Sequence, residues 1–208
     1  MGMTERERML AGKLYWPGDE ELAAMRARAH RLCHMYNDMF EEDEARREEI
    51  MRELLGGAGE GAYMQGPIQF DYGVNTTVGK GFYANFGLTI LDCASVTIGD
   101  DVMFGPNVSL VTPTHPLEAQ DRRERAWPDG RKGALEWALP ITIEDGCWLS
   151  VNVTVIGGCR IGAGSVIGAG SVVTRDIPQG VLAVGVPCRP IRSIGEGDAI
   201  ELRRELFG

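Results

Sequence analysis

Aliphatic residues recur at every sixth position through the C-terminal part of the chain. The step is clearest at Ile143, Leu149, Val155, Ile161, Ile167 and Val173. Small residues repeat with the same step at Cys147, Val153, Cys159, Ser165 and Ser171. Earlier positions with this spacing are Ile98, Phe104 and Leu110 and, more loosely, Val78, Ala84 and Ile90. The hydrophobic pattern from about residue 62 onward therefore has a period of six.

A period of six fits neither an α-helix, with its period of about 3.6, nor an amphipathic hairpin strand, with its period of about 2. It predicts a coil of three short strands, each pointing one aliphatic side chain inward, with small residues at the corners. Coils stacked at the strand spacing of about 4.8 Å bury a continuous aliphatic column. Residues 141–177 leave no room for the helical crossovers of a parallel α/β sheet. We therefore predict a parallel β-helix over residues 62–194.

The first 61 residues follow a helical pattern instead. Asp19 is a candidate N-cap. Apolar residues then recur at helical spacing at Leu22, Met25, Ala29, Leu32, Cys33 and Tyr36. A second charged segment runs from Glu41 to Leu55 and ends at Gly56-Gly57, which commonly stops a helix. The pattern predicts a small helical unit over residues 1–61.

Two segments break the six-residue step. Between Leu110 and Ile143 the sequence is polar and irregular, and a long loop inside a compact repeat usually carries function. We expect a loop over about residues 112–140 to protrude from the β-helix. The charged segment 195–208 follows the last repeat, and its sequence is compatible with either a short helix or a frayed tail.

Composition and charge argue against several broad classes of function. The net charge of −9 argues against an extended nucleic-acid surface, which needs a basic face. No apolar run approaches the roughly 18 residues that span a membrane, and the charged N-terminus lacks the apolar core of a signal peptide. The five cysteines form no CxxC pair, which favours buried thiols in a reducing compartment. We predict a cytoplasmic protein that binds neither nucleic acid nor membrane.

His115 is the candidate catalytic residue, because it is the only histidine outside the helical unit and lies at the root of the expected loop. An imidazole titrates near neutral pH, which suits a general base that removes a proton from an attacking hydroxyl. Glu136, near the far end of the loop, is a candidate carboxylate partner that orients the imidazole. A histidine taken alone is more often an ordinary loop residue, but the repeat context and the THP segment (114–116) favour a catalytic role for His115, whereas Glu136 is equally compatible with an exposed loop carboxylate. Backbone N–H groups near residues 85 or 105 are candidates for holding the reaction's oxyanion.

The sequence also contains candidate ligands for a metal and for phosphate groups. His30 and His34 lie four residues apart on a predicted helix, a spacing seen in two-histidine metal sites. No third ligand accompanies them, so we predict no metal. Arg175, Arg189 and Arg192 surround the end of the repeats, where guanidinium groups could pair with the phosphates of a coenzyme. The chain has no GxxxxGK[ST] loop, which argues against ATP chemistry.

Five segments carry a resemblance to a known family. They are GFYANFGLTILD (81–92), IGDDVMFGPNVSLVTPTHP (98–116), WLSVNVTVIGGCRIGAGSVIGAGSVVTRDIP (148–178), GVPCRPI (185–191) and MTERERMLAGKLYWPGDEEL (3–22). Together they resemble the maltose, galactoside and nodulation-factor O-acetyltransferases of the hexapeptide-repeat superfamily. The resemblance implies a left-handed parallel β-helix, a homotrimer, acetyl-CoA as donor and a small hydroxyl-bearing acceptor such as a sugar.

The same resemblance implies roles for individual residues. His115 takes the place of the family's catalytic histidine, and with Asn85 and Glu136 it forms the predicted catalytic set. Residues expected to line the acceptor and acetyl site are Asp19, Asp71, Tyr83 and Cys93. Residues expected along the coenzyme A path are Trp148, Ser150, Ala169, Thr174, Arg175, Arg189 and Arg192.

Two features depart from the family pattern. Ser150 stands where the family commonly has glycine, so its side chain either narrows the slot for the pantetheine arm or points outward. The loop over residues 117–139 is several residues longer than in the family, which puts the identity of the acceptor in question. Cys93 as a covalent nucleophile would need a base within hydrogen-bond reach, so direct transfer in a ternary complex is the favoured mechanism.

Three other functions compete with that of an O-acetyltransferase. A γ-class carbonic anhydrase of the same fold needs three histidines on the β-helix, and only His115 lies there. A transferase with an amine or antibiotic acceptor is compatible with the same residues. A catalytically silent trimeric scaffold is the alternative without catalysis, and the presence of His115, Asn85 and Trp148 together argues against it.

Overall fold

The N-terminal part of the computed structural model, which describes residues 2–127 and 130–207, is helical. Its helices are α1 (Glu5–Leu10), α2 (Glu20–Asn37) and α3 (Glu44–Leu54). The predicted N-cap is confirmed, since Oδ1 of Asp19 accepts hydrogen bonds from the backbone N–H groups of Glu21 and Leu22. No helix among these residues is long and apolar enough to cross a membrane.

Short strands follow the helices. Before the loop they are β1 (Gly57–Ala58), β2 (Tyr63–Met64), β3 (Ile68–Phe70), β4 (Thr76–Val78), β5 (Tyr83–Ala84), β6 (Leu88–Leu91), β7 (Val96–Ile98), β8 (Met103–Phe104) and β9 (Ser109–Val111). Within the loop they are β10 (Pro113–Thr114), β11 (Arg125–Ala126), β12 (Lys132–Gly133) and β13 (Trp137–Ala138). After the loop they are β14 (Ile141–Ile143), β15 (Trp148–Leu149), β16 (Thr154–Ile156), β17 (Arg160–Ile161), β18 (Val166–Ile167), β19 (Val172–Val173), β20 (Val181–Val184) and β21 (Arg189–Ser193). The C-terminal segment forms 3₁₀ turns at Glu196–Asp198, Ile200–Leu202 and Arg204–Leu206.

The strands of the coils form three sheets, to which successive coils contribute one strand each, and the loop strands pair separately as β10-β13 and β11-β12. The first sheet has the order β1-β4-β7-β14-β17, and the third has the order β19-β16-β9-β6-β3. The second sheet has the order β2-β5-β8-β15-β18-β20 and ends on the antiparallel β21. Because β7, β8 and β9 pair directly with β14, β15 and β16, the loop is extruded from an unbroken stack of coils. The predicted parallel β-helix is confirmed.

In the strands of the coils, the residues of the predicted six-residue step point into the column. The stacked inward residues are Val78-Ile98-Ile143-Ile161, Ala84-Phe104-Leu149-Ile167 and Ile90-Leu110-Val155-Val173. None of them is more than 6% exposed, so every position of the predicted six-residue step lies in the core. Tight corners separate the strands: at Gly87, where φ is +77°, a Cβ would lie 2.3 Å from Oδ1 of Asn107.

The outer surfaces of the three sheets differ in chemistry. The first sheet presents Thr77, Thr97, Thr142 and Arg160. The third presents a polar row of Gln69, Thr89, Ser109 and Thr154 beside an apolar row of Leu91, Val111 and Ile156. The second, which we call the apolar face, presents Tyr63, Tyr83, Met103, Trp148, Val166 and Leu182. Met103 is 51% exposed and Trp148 46%, and an exposed apolar strip of this kind marks an interaction surface.

Helical side chains cover the open edge of the first coil. The side chain of Asn37 donates to the carbonyl of Ile68 at 2.9 Å and accepts from its N–H at 2.7 Å. Arg47 donates to the carbonyls of Met64 and Gln65 at 2.8 and 2.7 Å. These backbone groups have no preceding coil to pair with, so the helical unit closes an edge that would otherwise be open.

Candidate active site

His115 follows β10, which pairs with β13 at the other end of the loop. This pairing brings Nδ1 of His115 within 3.0 Å of the carbonyl oxygen of Leu135. A carbonyl oxygen only accepts hydrogen bonds, so the contact assigns a proton to Nδ1, and in the neutral imidazole Nε2 then holds the free lone pair. The side chain is half exposed. Its geometry is that of a proton acceptor open to a ligand.

Glu136 lies on the opposite side of the imidazole from Leu135. Its Oε2 is 4.0 Å from Nε2 of His115, which is a charge contact and too long for a hydrogen bond. We expected Glu136 to orient the ring, but the carbonyl of Leu135 makes the hydrogen bond to Nδ1. The second carboxylate oxygen, Oε1, accepts a hydrogen bond from the Tyr15 hydroxyl. Glu136 is therefore held beside the reactive nitrogen.

A small buried cluster continues from Glu136. Sγ of Cys93 lies 3.6 Å from Oδ2 of Asp71 and 3.8 Å from Oε1 of Glu136. Burial raises the pKa of the Cys93 thiol and that of the Asp71 carboxyl, and it also raises the pKa of Tyr15. A thiol that stays protonated is a poor nucleophile, so Cys93 is suited to lining a site and not to covalent chemistry.

The two helical histidines lie away from this cluster. Nε2 of the exposed His34 is 3.3 Å from Oδ2 of Asp38, one turn further along α2. In the part of the chain that the structure describes, no group of three histidine, cysteine, aspartate or glutamate side chains is arranged to hold a metal ion.

Asn85 lies at the corner after β5. Its Oδ1 accepts from the N–H of Phe86 at 2.7 Å, so Nδ2, which can only donate, lies on the other side of the amide. The backbone N–H groups of Asn85 and Gly105 donate to the carbonyls of Phe104 and Leu149 in neighbouring coils. The ladder therefore uses the N–H groups of Asn85 and Gly105 themselves, and the expectation that backbone N–H groups near residues 85 or 105 hold the oxyanion stays a prediction for their neighbours.

Trp148 and Arg192 share a groove of about 380 Å³ at the C-terminal end of the apolar face. Asp198, on the first 3₁₀ turn, also lines this groove. Arg192 donates to both carboxylate oxygens of Asp198 at 2.8 and 2.7 Å, and these bonds lower the pKa of Asp198 to about 2. The Arg192 guanidinium is therefore held by the C-terminal segment within the groove.

The predicted site residues form two groups in the chain. The loop-side group follows the strands of the third sheet or lies in the loop, and comprises Asp71, Cys93, His115, Glu136, Thr174 and Arg175. The apolar-face group lies on the second sheet or at the corner that precedes the third, and comprises Tyr83, Asn85, Trp148, Ser150, Ala169, Arg189 and Arg192. Asp19, which caps α2, belongs to neither group. The width of the third sheet separates the two groups.

Sequence reasoning missed Tyr15. Its side chain is fully buried, its backbone N–H donates to the carbonyl of Glu136 at 3.2 Å, and its hydroxyl donates to the Glu136 carboxylate. The two residues are 121 positions apart, so no local spacing could have paired them.

Comparisons with known proteins agree with this architecture. Residues 8–59 match the maltose acetyltransferase hexapeptide capping motif, and residues 140–175 match the bacterial transferase hexapeptide of six repeats. The chain is 41% identical to the galactoside O-acetyltransferase of Escherichia coli K12, over 95% of this chain and 93% of that protein. Its fold is similar to the crystal structure of a maltose O-acetyltransferase from Clostridium difficile 630, with a TM-score of 0.86, 41% identity and coverage of 94% and 100% of the two chains. A galactoside acetyltransferase in complex with coenzyme A gives a TM-score of 0.86, 40% identity and coverage of 95% and 94%.

Proposed function

Since the chain belongs to the maltose and galactoside O-acetyltransferase family of hexapeptide-repeat acyltransferases, we propose that it moves an acetyl group from acetyl-CoA to a hydroxyl of a sugar or similar small acceptor. The observation that carries this proposal is His115, whose Nδ1 faces a carbonyl and whose Nε2 is open. The coenzyme A complex of a relative that is 40% identical supports the donor.

His115 acts as the general base. An alcohol is too weak an acid to attack a thioester readily at neutral pH, and a positioned base contributes about 10²–10⁴ in rate. Nε2 accepts the hydroxyl proton as the oxygen attacks the acetyl carbonyl carbon. The resulting imidazolium keeps its Nδ1–H on the carbonyl of Leu135, and the carboxylate of Glu136, 4.0 Å from Nε2, stabilises its charge.

Collapse of the tetrahedral intermediate completes the transfer. The carbon–sulfur bond breaks, the electron pair leaves with the coenzyme A thiolate, and Nε2 of His115 returns its proton to that sulfur. The products are the acetyl ester and coenzyme A, and His115 is neutral again. This direct route needs no acetyl-enzyme, in keeping with Cys93, which is 4% exposed and has a thiol pKa raised by burial.

The side-chain amide of Asn85 donates the hydrogen bond that stabilises the oxyanion. The backbone N–H of Phe86 fixes Oδ1, which leaves Nδ2 as a donor of fixed orientation. A donor held in place before the reaction stabilises the negative charge that develops on the acetyl oxygen. Tyr83 lies two residues earlier, on the apolar face, and we place it beside the acetyl group.

The active site lies between subunits of a homotrimer. His115 and Asn85 belong to different groups, and the third sheet lies between those groups in one chain. A closed three-fold arrangement can set the apolar-face group of one copy against the loop-side group of the next. Packing between copies would also remove the apolar face from water.

We place coenzyme A along the boundary between two subunits. Trp148 packs against the pantetheine arm, which passes the corner residues Ser150 and Ala169. Guanidinium groups suit the bidentate recognition of phosphate oxygens. The residues that we assign to the phosphate end are Thr174, Arg175, Arg189 and Arg192.

An acceptor that carries an amine is the second candidate. It would use the same general base, His115, and the same acetyl donor, acetyl-CoA. The observation that favours it is the pair of carboxyl groups, Asp71 and Glu136, which both contact Sγ of Cys93, with Glu136 also 4.0 Å from Nε2 of His115. Opposite charges within a few ångströms attract, so an ammonium group would suit this side of the site.

The first test is thiol release from acetyl-CoA with a panel of sugars and amino sugars. We expect release only with an acceptor, and a fall of about 10²–10⁴ in kcat for His115→Ala. His34→Ala removes an exposed histidine from α2 and is the matched control, with activity near that of the native chain. Equal activity in the two variants would overturn the role of His115. Coenzyme A binding without turnover on any of these acceptors would keep the donor and overturn the acceptor, whereas the absence of coenzyme A binding as well would support the scaffold alternative.

A further inference from the structure

The segment before α2 makes several contacts with the extruded loop. Nε1 of Trp16 donates to the carbonyl of Lys132 at 2.9 Å. The Arg131 guanidinium lies 4.7 Å from the centre of the Trp16 ring and donates to Glu5 of α1 at 3.0 Å. Carboxylate and ring contacts of this kind restrict the motion of a long loop. We call residues 5–18 the N-terminal arm.

Tyr15 is the point at which the N-terminal arm reaches the active site. Its ring is fully buried with Leu22, Tyr72 and Cys93. Its backbone N–H and its hydroxyl donate to the backbone carbonyl and the carboxylate of Glu136. The backbone and the side chain of Glu136 are thus both fixed by one residue.

We propose that Tyr15 is a positioning residue for acetyl transfer: by holding Oε1 of Glu136, it keeps Oε2 turned toward Nε2 of His115. The proposal rests on the proposed function, in which the acceptor hydroxyl reacts at Nε2. A planar carboxylate has two oxygens in fixed relation, so one hydrogen bond to Oε1 sets the direction of Oε2. This places a negative charge where the imidazolium forms during the transfer.

The Tyr15 hydroxyl is the strong donor to Oε1 of Glu136, since the Cys93 thiol, 3.8 Å from the same oxygen, donates only weakly. The Glu136 side chain is only 16% exposed, so water replaces a lost donor poorly. The Asp71 carboxyl lies on the other side of Cys93 and repels the Glu136 carboxylate when both are ionised. Arg26 is engaged by the Tyr72 hydroxyl and by the carbonyl of Pro17, both at 2.7 Å. Without the Tyr15 hydroxyl, we expect the Glu136 side chain to turn toward solvent.

The kinetic test compares Tyr15→Phe with Tyr36→Phe. Both substitutions remove one buried tyrosine hydroxyl, but that of Tyr36 donates to the carbonyl of Met64 beside the first coil. We expect Tyr15→Phe to lower kcat about 10-fold with little change in the KM for acetyl-CoA, and Tyr36→Phe to change neither. In the Glu136→Ala background, Tyr15→Phe should lower kcat no further, because the group through which it acts is gone.

Equal kinetics for the two phenylalanine variants would overturn the proposal, and so would an undiminished effect of Tyr15→Phe on the Glu136→Ala background.

A spectroscopic experiment distinguishes failure of this proposal from failure of the proposed function. In protein labelled with ¹⁵N-histidine, the His115 ring signals, assigned by their loss in His115→Ala, should move in Tyr15→Phe and stay in place in Tyr36→Phe. If the native chain transferred no acetyl group, shifted signals would still support the link from Tyr15 to His115, and unshifted signals would overturn it.

Discussion

Asp92 is a fully buried carboxylate that follows β6, at the corner that leads from the second coil to the third. Its Oδ1 accepts from the N–H groups of Tyr72 and Gly73 at 2.8 and 3.1 Å, and its Oδ2 accepts from the Thr76 hydroxyl at 3.0 Å. Burial raises the pKa of Asp92, while these donors oppose the rise. The neighbouring Cys93 belongs to the site, so the hydrogen bonds of Asp92 also fix one wall of the site.

Asp92→Asn should destabilise the fold. The amide oxygen keeps the two backbone N–H groups only as a neutral and therefore weaker acceptor, and the Thr76 hydroxyl has to turn to accept from the amide nitrogen, at a cost of about 1–3 kcal/mol. Denaturant unfolding at a fixed protein concentration measures the loss. Asp121→Asn changes an exposed loop carboxylate paired with Arg125 and should cost at most about 1 kcal/mol. A similar midpoint for both variants would contradict this account of Asp92.

Repeating strands were predictable because each inward residue carries its own local signal. Val155 and Val173 have the same spacing and the same buried environment, so six residues suffice to recognise the element. The extruded loop was predictable only as an interruption. Its contacts with the N-terminal arm join residues such as Tyr15 and Glu136, which are far apart in sequence, and the chain between them carries no signal of their contact. The covering of the first coil by helical side chains is likewise a tertiary contact that helical periodicity does not encode.

Asn37→Ala tests the covering of the first coil. The Asn37 amide pairs with both backbone groups of Ile68, as a preceding strand would. Loss of these partners should cost about 1–3 kcal/mol in the free energy of unfolding, because the backbone groups of Ile68 stay partly buried. Gln69→Ala removes an exposed side chain from the same strand and should change stability by about 0.5 kcal/mol or less. Equal unfolding midpoints for the two variants would mean that the Asn37 amide does not stabilise this edge.

At the scale of the whole molecule, the sequence predicted which residues form the candidate site but not their arrangement in space. The family resemblance brought His115 and Asn85 together in one prediction, whereas the chain places them at opposite ends of the third-sheet strands. A sequence shows which chemical groups are present but not where they lie. In the proposed arrangement the site needs two copies of the chain, so one copy does not contain its full geometry. The apolar face supplies a physical reason for association, since Met103 and Trp148 expose large apolar areas on it.

Mixed trimers test this arrangement directly. His115→Ala and Asn85→Ala, each of low activity alone, should regain activity when they are coexpressed, because about one quarter of the sites in random mixtures combine an intact His115 with an intact Asn85 of the next copy. The matched control is coexpression of His115→Ala with Glu136→Ala. These residues lie 4.0 Å apart in one chain, so every site formed by this pair of variants stays defective and no activity should return. Recovery in the control, or none in the first mixture, would mean that His115 and Asn85 do not meet across a subunit boundary.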